Sequence, residues 1–362
     1  MRLVRFAALT TIVAALVAGA APAVAHTVPA AHIVPAAVPL KVMPLGDSIT
    51  DGQADAGYRT DLWHFFETDG RSVDFVGSQT SGPTNLPDQN HEGHPGWTIA
   101  QLSQQVVGWL TTYKPDMVLL HIGTNDMYTD ATSAAAPAEL STLLDQITQT
   151  VPAAKVYVAS IIPLADAAGA NRVLAYDATI PGIVGAKAAA GKNVSFVDMH
   201  SAVPTAELVD GIHPTVGGYS RMAARWYSAI VGTPFYRYES EQAANATSTD
   251  TQQVAGNRSS GGVRVGHIDF PDSALTFTVY APKTGTSRIY VRADDGMNMP
   301  CSHQLSVNGA TPFPVTYPSF GWDYWSITGV NVNVTAGANT FKFTKGDCYA
   351  EMDEIDFTTP AA

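Results

Sequence analysis

The chain has 362 residues, is 46% hydrophobic and only 14% charged, and carries a net charge of −12. This excludes a disordered chain, a non-specific nucleic-acid binder and a basic membrane-surface protein. The length exceeds one ordinary core and points to two domains.

In chain order, the first residues read as a targeting segment over 1–25. Arg2 and Arg5 precede the apolar run FAALTTIVAALVAGA, and Ala23-Val24-Ala25 is an A-x-A cleavage site. A membrane anchor is the competing reading; Pro22 and the alanine-rich, leucine-poor run favour cleavage. A Pro/Ala-rich leader, 26-HTVPAAHIVPAAVP-39, follows. The expected localisation is extracellular, in secreted form.

Residues 40–232 alternate two kinds of pattern. Short runs rich in Val and Ile (41-KVMPLG-46, 73-VDFVGS-78, 117-MVLLHIG-123, 156-VYVASII-162, 194-VSFVDM-199) read as strands covered on both faces. Helical patterns lie between and after them, at 98-TIAQLSQQVVGWLTTY-113, 138-AELSTLLDQITQTV-151 and 217-GGYSRMAARWYSAIVG-232. The alternation predicts βαβ units, hence a parallel sheet with helices on both sides. From residue 236 to 362 the period becomes two, as in 275-LTFTVYAP-282, 287-SRIYVRAD-294 and 340-TFKFTKG-346, with Asn-Gly and Lys-Gly turns between. That predicts an all-β sandwich. The short junction at 232–238 predicts that the two domains are close neighbours. Cys301 and Cys348, an even count in an oxidising setting, are expected to form one disulfide, with two buried free thiols as the alternative.

Functional residues of open parallel sheets collect at the carboxyl ends of strands. Gly46-Asp47-Ser48 ends the first strand and Gly123-Thr124-Asn125-Asp126 the third, while 210-DGIHP-214 lies on a loop before the last helix, so three polar clusters are expected to converge on one rim. A serine hydroxyl becomes a nucleophile when a base takes its proton, and His213 can be that base. Asp210, three residues earlier, can orient the imidazole in a tight turn. Backbone N–H groups of Ser48 and Gly96, with the Asn125 amide, would supply oxyanion donors. Singly these residues read as caps, turns and surface contacts; together they form a catalytic set. The segment 91-HEGH-94 lacks the spacing of a helical zinc motif, and Gly93 and Pro95 oppose a helix there, so a structural or substrate-lining loop is expected.

The blocks GDSIT with Ser48, HPGWT with Gly96, GTND with Asn125 and DGIH with Asp210 and His213 resemble the SGNH (GDSL-type) hydrolases over residues 41–231. The resemblance implies a flavodoxin-like three-layer α/β/α fold and ester hydrolysis through an acyl-enzyme on Ser48, with no catalytic cofactor. The flanking segments 57-GYRTDLW-63, 73-VDFVGSQTSGP-83 and 90-NHEGHPGWTI-99 are similar to carbohydrate esterase family 3, which implies removal of acetyl groups from xylan. Other acyl esters, including lipids and pectin acetyl groups, are the alternative substrates, and a carbohydrate-binding protein with a vestigial hydrolase domain is the alternative class. Trp97, beside Gly96, is a candidate pocket residue or a buried tryptophan.

The C-terminal domain resembles carbohydrate-binding modules of families 6 and 35 through 238-YESEQA-243, 261-GGVRVGHID-269, 305-LSVNG-309 and 352-MDEIDF-357. This implies a jelly-roll and a structural Ca²⁺ on Glu239, Glu241 and Asp353, with Asp356 the less favoured third ligand; an oxygen-only set suits that ion. Trp322, Tyr324, Trp325 and Asn298 are candidate sugar contacts, with a core position for at least one of the tryptophans as the alternative. A polysaccharide is the expected partner, with no nucleic acid and no membrane, and a monomer is the default.

Overall fold

The computed structural model describes residues 38–360, apart from 53, 54, 56 and 257. The targeting segment and most of the leader lie outside the described residues, and among those described no helix is long and apolar enough to cross a membrane.

The first domain is built on strands β1 (Leu40–Gly46), β2 (Val73–Phe75), β3 (Gln79–Thr80), β4 (Asn90–Gly93), β5 (Met117–His121), β6 (Lys155–Ala159) and β7 (Val194–Val197). β2, β1, β5, β6 and β7 run parallel in that order, β4 pairs in parallel with the far end of β1, and β3 is antiparallel to β4. The helices are α1 (Ser48–Asp51), α2 (Arg59–Thr68), α3 (Ile99–Tyr113), α4 (Asp130–Thr150), α5 (Ala167–Asp177), α6 (Ile180–Ala189) and α7 (Val216–Val231).

Strand alternation divides the interior into two layers. Val42, Leu119 and Ala159 face α2 and α7, where Leu62, Phe65, Met222 and Trp226 complete one core. Their neighbours Met43, Val118, Leu120 and Val158 face the opposite way and pack on Leu102, Val106, Leu140, Leu144 and Val173 of α3, α4 and α5. Both faces of the central strands β1, β5 and β6 are therefore buried, which is why the sequence shows continuous apolar runs there.

Two features depart from the sequence reading. α4 starts at Asp130, not near 138; the Thr129 hydroxyl caps it by accepting the Thr132 N–H at 3.2 Å, and Pro137 is accommodated inside the helix. α5 and α6 carried no usable signal, because their Ala- and Gly-rich sequences bury only a few residues each.

The second domain consists of two antiparallel sheets. One contains Phe235–Glu239, Gln252–Ala255, Val263–Gly266, Gly285–Asp294, Ser326–Val334 and Glu351–Thr358. The other contains Ala246–Thr249, Ala274–Ala281, Cys301–Val307, Phe313–Tyr317 and Gly337–Lys345. Inward residues of both sheets, among them Leu275, Phe277, Ile289, Phe341, Phe343 and Ile355, form its core. Cys301 and Cys348 are bridged, with Cα atoms 5.4 Å apart.

α2 and α7 also form the seam with the sandwich. Phe65, Tyr227, Phe235 and Tyr290 pack ring against ring, with centroids 5.0–6.1 Å apart. Ser220 donates to Glu354 at 2.8 Å, and Arg288 donates to the Thr68 carbonyl at 2.9 Å. The buried Arg292 pairs with Asp61 of the first domain at 3.0 Å and with Asp353 of its own.

Candidate active site

The site forms where β1, β5 and the segment before α7 end on one rim. Ser48 is the first residue of α1, and Asp47 caps that helix by accepting the Ile49 N–H at 2.9 Å. The strand end must pass very close to β5: a Cβ on Gly46 would lie 2.1 Å from the His121 carbonyl oxygen. Only glycine allows that approach, which explains the residue preceding the Asp-Ser pair.

The Ser48 hydroxyl lies 2.9 Å from His213 Nε2, and His213 Nδ1 lies 2.8 Å from Asp210 Oδ2. With the proton on Nδ1, the ring donates to Asp210 and accepts from Ser48, the arrangement required of a base. The second oxygen of Asp210 accepts the backbone N–H groups of Ile212 and His213 at 3.0 and 2.8 Å. Desolvation opposes ionisation of Asp210, but the His213 backbone and ring hydrogen bonds outweigh it and hold the carboxyl at about 2. The loop closes on itself through a Leu208–Pro214 bridge and a Val209 N–H to His213 carbonyl bond of 2.9 Å. Asp210 and His213 are thus presented by one tight loop, as their spacing predicts.

The proposed oxyanion donors are also brought to this rim. His94 N–H donates to the Gly46 carbonyl at 2.9 Å, tying the 94–97 turn to the end of β1. Gly96 lies in that turn with φ +79°. The Asn125 amide donates to the Trp97 carbonyl at 2.9 Å, which fixes it beside Gly96 and leaves its second N–H for another acceptor.

In the HEGH segment the side chains diverge. His91 Nε2 meets the Ser81 hydroxyl at 2.9 Å while its Nδ1 accepts the Gly93 N–H at 3.0 Å; burial pushes the ring down to about 3. Glu92 turns the other way, to Ser78 and to His94 at 2.7 Å. His94 in turn stacks between Trp97 and Trp109, with centroids at 4.4 and 4.6 Å, so Trp97 is a half-buried member of this stack. Among the described residues no group of three or more His, Cys, Asp or Glu side chains is arranged to hold a metal ion.

That statement includes the acidic cluster of the second domain. Asp353 is engaged by Arg292 and by the Ser260 N–H, and Glu239 by Arg221 and the Ser260 hydroxyl. Asp356 pairs with Arg237. Glu239 Oε2 and Glu241 Oε2 are nevertheless buried with no hydrogen-bond partner. Burial, reinforced by Glu354, pushes Glu239 up to about 8. Of the candidate sugar contacts, Trp322 and Tyr324 are 44% and 38% exposed, and Asn298 is exposed on a neighbouring loop with φ +54°. Trp325 is instead a buried residue, its indole N–H donating to the Arg258 carbonyl and its ring packed against Arg292, so it offers no face to a sugar. Tyr324 lies under the Arg258 guanidinium, which reaches across the seam to Asp55 at 2.6 Å.

A three-layer α/β domain with a Ser–His–Asp array on its strand-end rim defines the class. Residues 45–221 match the GDSL-like Lipase/Acylhydrolase family model, and the domain belongs to that family. The chain is 34% identical over 226 residues to the multidomain esterase of Ruminococcus flavefaciens, covering 54% of this chain and 29% of that protein. It spans less than two thirds of the length of the curated relatives it matches. Among solved structures, it is 40% identical to a Clostridium thermocellum family 3 carbohydrate esterase, covering 54% of this chain and 97% of that one, with a TM-score of 0.49. The second domain is similar to a family 35 carbohydrate binding module from Clostridium thermocellum, 27% identical over 34% of this chain and 98% of that one, with a TM-score of 0.32.

Sequence reading passed over Asp126 as a titrating group. It is buried, accepts the Ile99 N–H at 3.2 Å and is pushed up to about 7, chiefly by desolvation. Because its folded pKa exceeds the unfolded value, the native state binds the extra proton between roughly pH 4 and pH 7. Its contribution to stability is present at the acidic end and lost as pH rises through that window. Asp126→Asn keeps an acceptor for Ile99 without a charge. Its melting temperature should exceed the wild type's at pH 8, and the gap should close towards pH 5. A pH-independent offset in a thermal melt series would contradict this.

Proposed function

We propose that this protein is a secreted serine esterase that removes acetyl groups from plant cell-wall polysaccharide, with acetylated xylan as the leading substrate. The observation that carries the reading is the continuous chain Ser48 Oγ, His213 Nε2, His213 Nδ1, Asp210 Oδ2, with contacts of 2.9 and 2.8 Å. Ser48 Oγ attacks the acetyl carbonyl while its proton passes to His213 Nε2. The carbonyl oxygen becomes an oxyanion facing the N–H groups of Ser48, Gly96 and Asn125. As the intermediate collapses, the sugar oxygen leaves with the proton from His213. Water then attacks the acetyl-enzyme with His213 again as base, releasing acetate and restoring Ser48. Asp210 keeps the ring in the required tautomer and stabilises the imidazolium. The name of the esterase relative agrees with this chemistry. The disulfide agrees with an oxidising destination.

Acetate release from acetylated xylan tests the mechanism. Ser48→Ala should lose turnover by a factor of about 10⁴ or more. Asn125→Ala should lose about 10²–10³. Wild-type-like release by Ser48→Ala would end the proposal. Trp322 and Tyr324 supply the second domain's sugar-stacking surface in this reading. Trp322→Ala should weaken retention on xylan in affinity electrophoresis while hydrolysis of nitrophenyl acetate stays unchanged; unaltered retention would remove Trp322 from the binding surface.

We also propose Ca²⁺ as a structural ion held by Glu239, Glu241 and Asp353; because these carboxylates are not arranged around a common point as they stand, its binding requires Asp353 to turn away from Arg292 and the Ser260 N–H. The support is an oxygen-only donor set and the two buried carboxylate oxygens that have no partner. Arg221 and Arg292 already offset part of the charge, so the ion would compete with ion pairs. Calcium should raise the melting temperature relative to the same protein in chelator. Coincident melts would leave the guanidinium groups as the cluster's counter-charges.

A further inference from the structure

Glu207 lies three residues before Asp210, and nothing in the catalytic chemistry uses it. It is 5% exposed, a burial seldom given to a carboxylate without dedicated partners. One oxygen accepts the Thr215 hydroxyl, and the other accepts the backbone N–H of Gly261 at 2.6 Å. Thr215 closes the far side of the base-bearing loop: its N–H donates to the Glu207 carbonyl at 2.7 Å, and its hydroxyl caps α7 through the Gly218 N–H at 3.0 Å. Gly261 belongs to the second domain. A single carboxylate therefore joins both stems of the Asp210–His213 loop to a turn of the sandwich.

The backbone is shaped for this junction. A Cβ on Gly217, in the first turn of α7, would lie 2.5 Å from Ser260 Cα and 2.7 Å from the Ser259 carbonyl oxygen. A Cβ on Gly218 would lie 2.9 Å from the Glu207 carbonyl oxygen. Two adjacent glycines thus let the sandwich turn and the loop stem approach the same end of the helix. The Ser260 N–H is itself held by Asp353, so the turn that receives Glu207 is anchored within its own domain. On the first-domain side, the loop tip is held by the Ala165 N–H on the Gly211 carbonyl at 2.9 Å.

We propose that the sandwich domain is a working part of the esterase site: Glu207 is a positioning residue through which the 259–261 turn fixes the loop carrying Asp210 and His213. The inference rests on the catalytic reading of Ser48 and His213. A displacement of about 1 Å in such a group can cost about a hundredfold in rate, so an unanchored loop should lower turnover without altering affinity for a small ester.

The test compares full-length wild type with Glu207→Ala, Glu207→Gln and Gly217→Ala, each checked for folding by circular dichroism. Nitrophenyl acetate hydrolysis gives kcat and KM, and amide hydrogen exchange reports on residues 208–214. Glu207→Ala should lower kcat about 10- to 100-fold with KM within about twofold. Glu207→Gln, which keeps one acceptor, should recover most of the loss, and Gly217→Ala should reproduce it from the sandwich side. Exchange over 208–214 should quicken in Glu207→Ala and Gly217→Ala. Unchanged kcat in both folded variants would overturn the proposal. A loss in Glu207→Ala with none in Gly217→Ala would also overturn it, by confining the effect to the loop. Should the wild type itself not hydrolyse the ester, the catalytic reading fails, and unchanged exchange would separately refute the anchoring.

Discussion

A hydroxyl and an imidazole 165 residues apart in the chain meet at 2.9 Å, and most of the first domain can be understood as what this contact requires. Ser48 is placed by a strand buried on both faces and by a turn that only a glycine at 46 permits. His213 has no such strand beneath it. It sits on a closed loop whose position depends on what grips its ends. Ser48, the proposed nucleophile, is fixed by the sheet, and His213, the proposed base, by packing around α7.

This difference makes the contacts of the second domain with α7 structurally important. α7 has two partners: the sheet, through Met222 and Trp226, and the sandwich, through Ser220, Arg221 and the glycines of its first turn. The aromatic cluster of Phe65, Tyr227, Phe235 and Tyr290 supplies apolar burial along the seam. A module tethered only for proximity needs no such burial, and inter-domain contacts that are small and polar leave domains free to move. Here the contacts combine a four-ring aromatic cluster with buried ion pairs, and they reach Glu207, within a few residues of Asp210 and His213.

Much of this was legible in the sequence, for reasons that differ by element. The parallel strands showed because burial on both faces leaves uninterrupted apolar runs, as in 117-MVLLHIG-123. Ser48 showed because it follows a strand end, and Asp210 and His213 because an Asp-x-x-His pair suits a tight loop; the structure brings all three together. Asn125 and Gly96 meet through Trp97, a backbone contact that spacing alone does not encode. α5 and α6 were silent because alanine and glycine give little periodic contrast, and the start of α4 was obscured by Pro137. Glu207 was invisible for another reason: its chief partner is a backbone N–H 54 residues away, and a main-chain donor leaves no mark on residue identity.

The charged groups along the seam do something the aromatic ones do not. Apolar contact is non-directional and tolerates sliding, whereas a buried guanidinium left without its carboxylate is costly, about 3–5 kcal/mol for a broken buried pair. Arg292 is almost wholly buried between Asp61 and Asp353, so any displacement of one domain along the other separates it from Asp61. Arg221 and Ser220 impose the same condition on α7, through Glu239 and Glu354. Taken together, the rings hold the domains in contact and the buried pairs set their register. Register is what the catalytic loop needs, since Glu207 reaches Gly261 through a single hydrogen bond of 2.6 Å that a slip of one ångström would break.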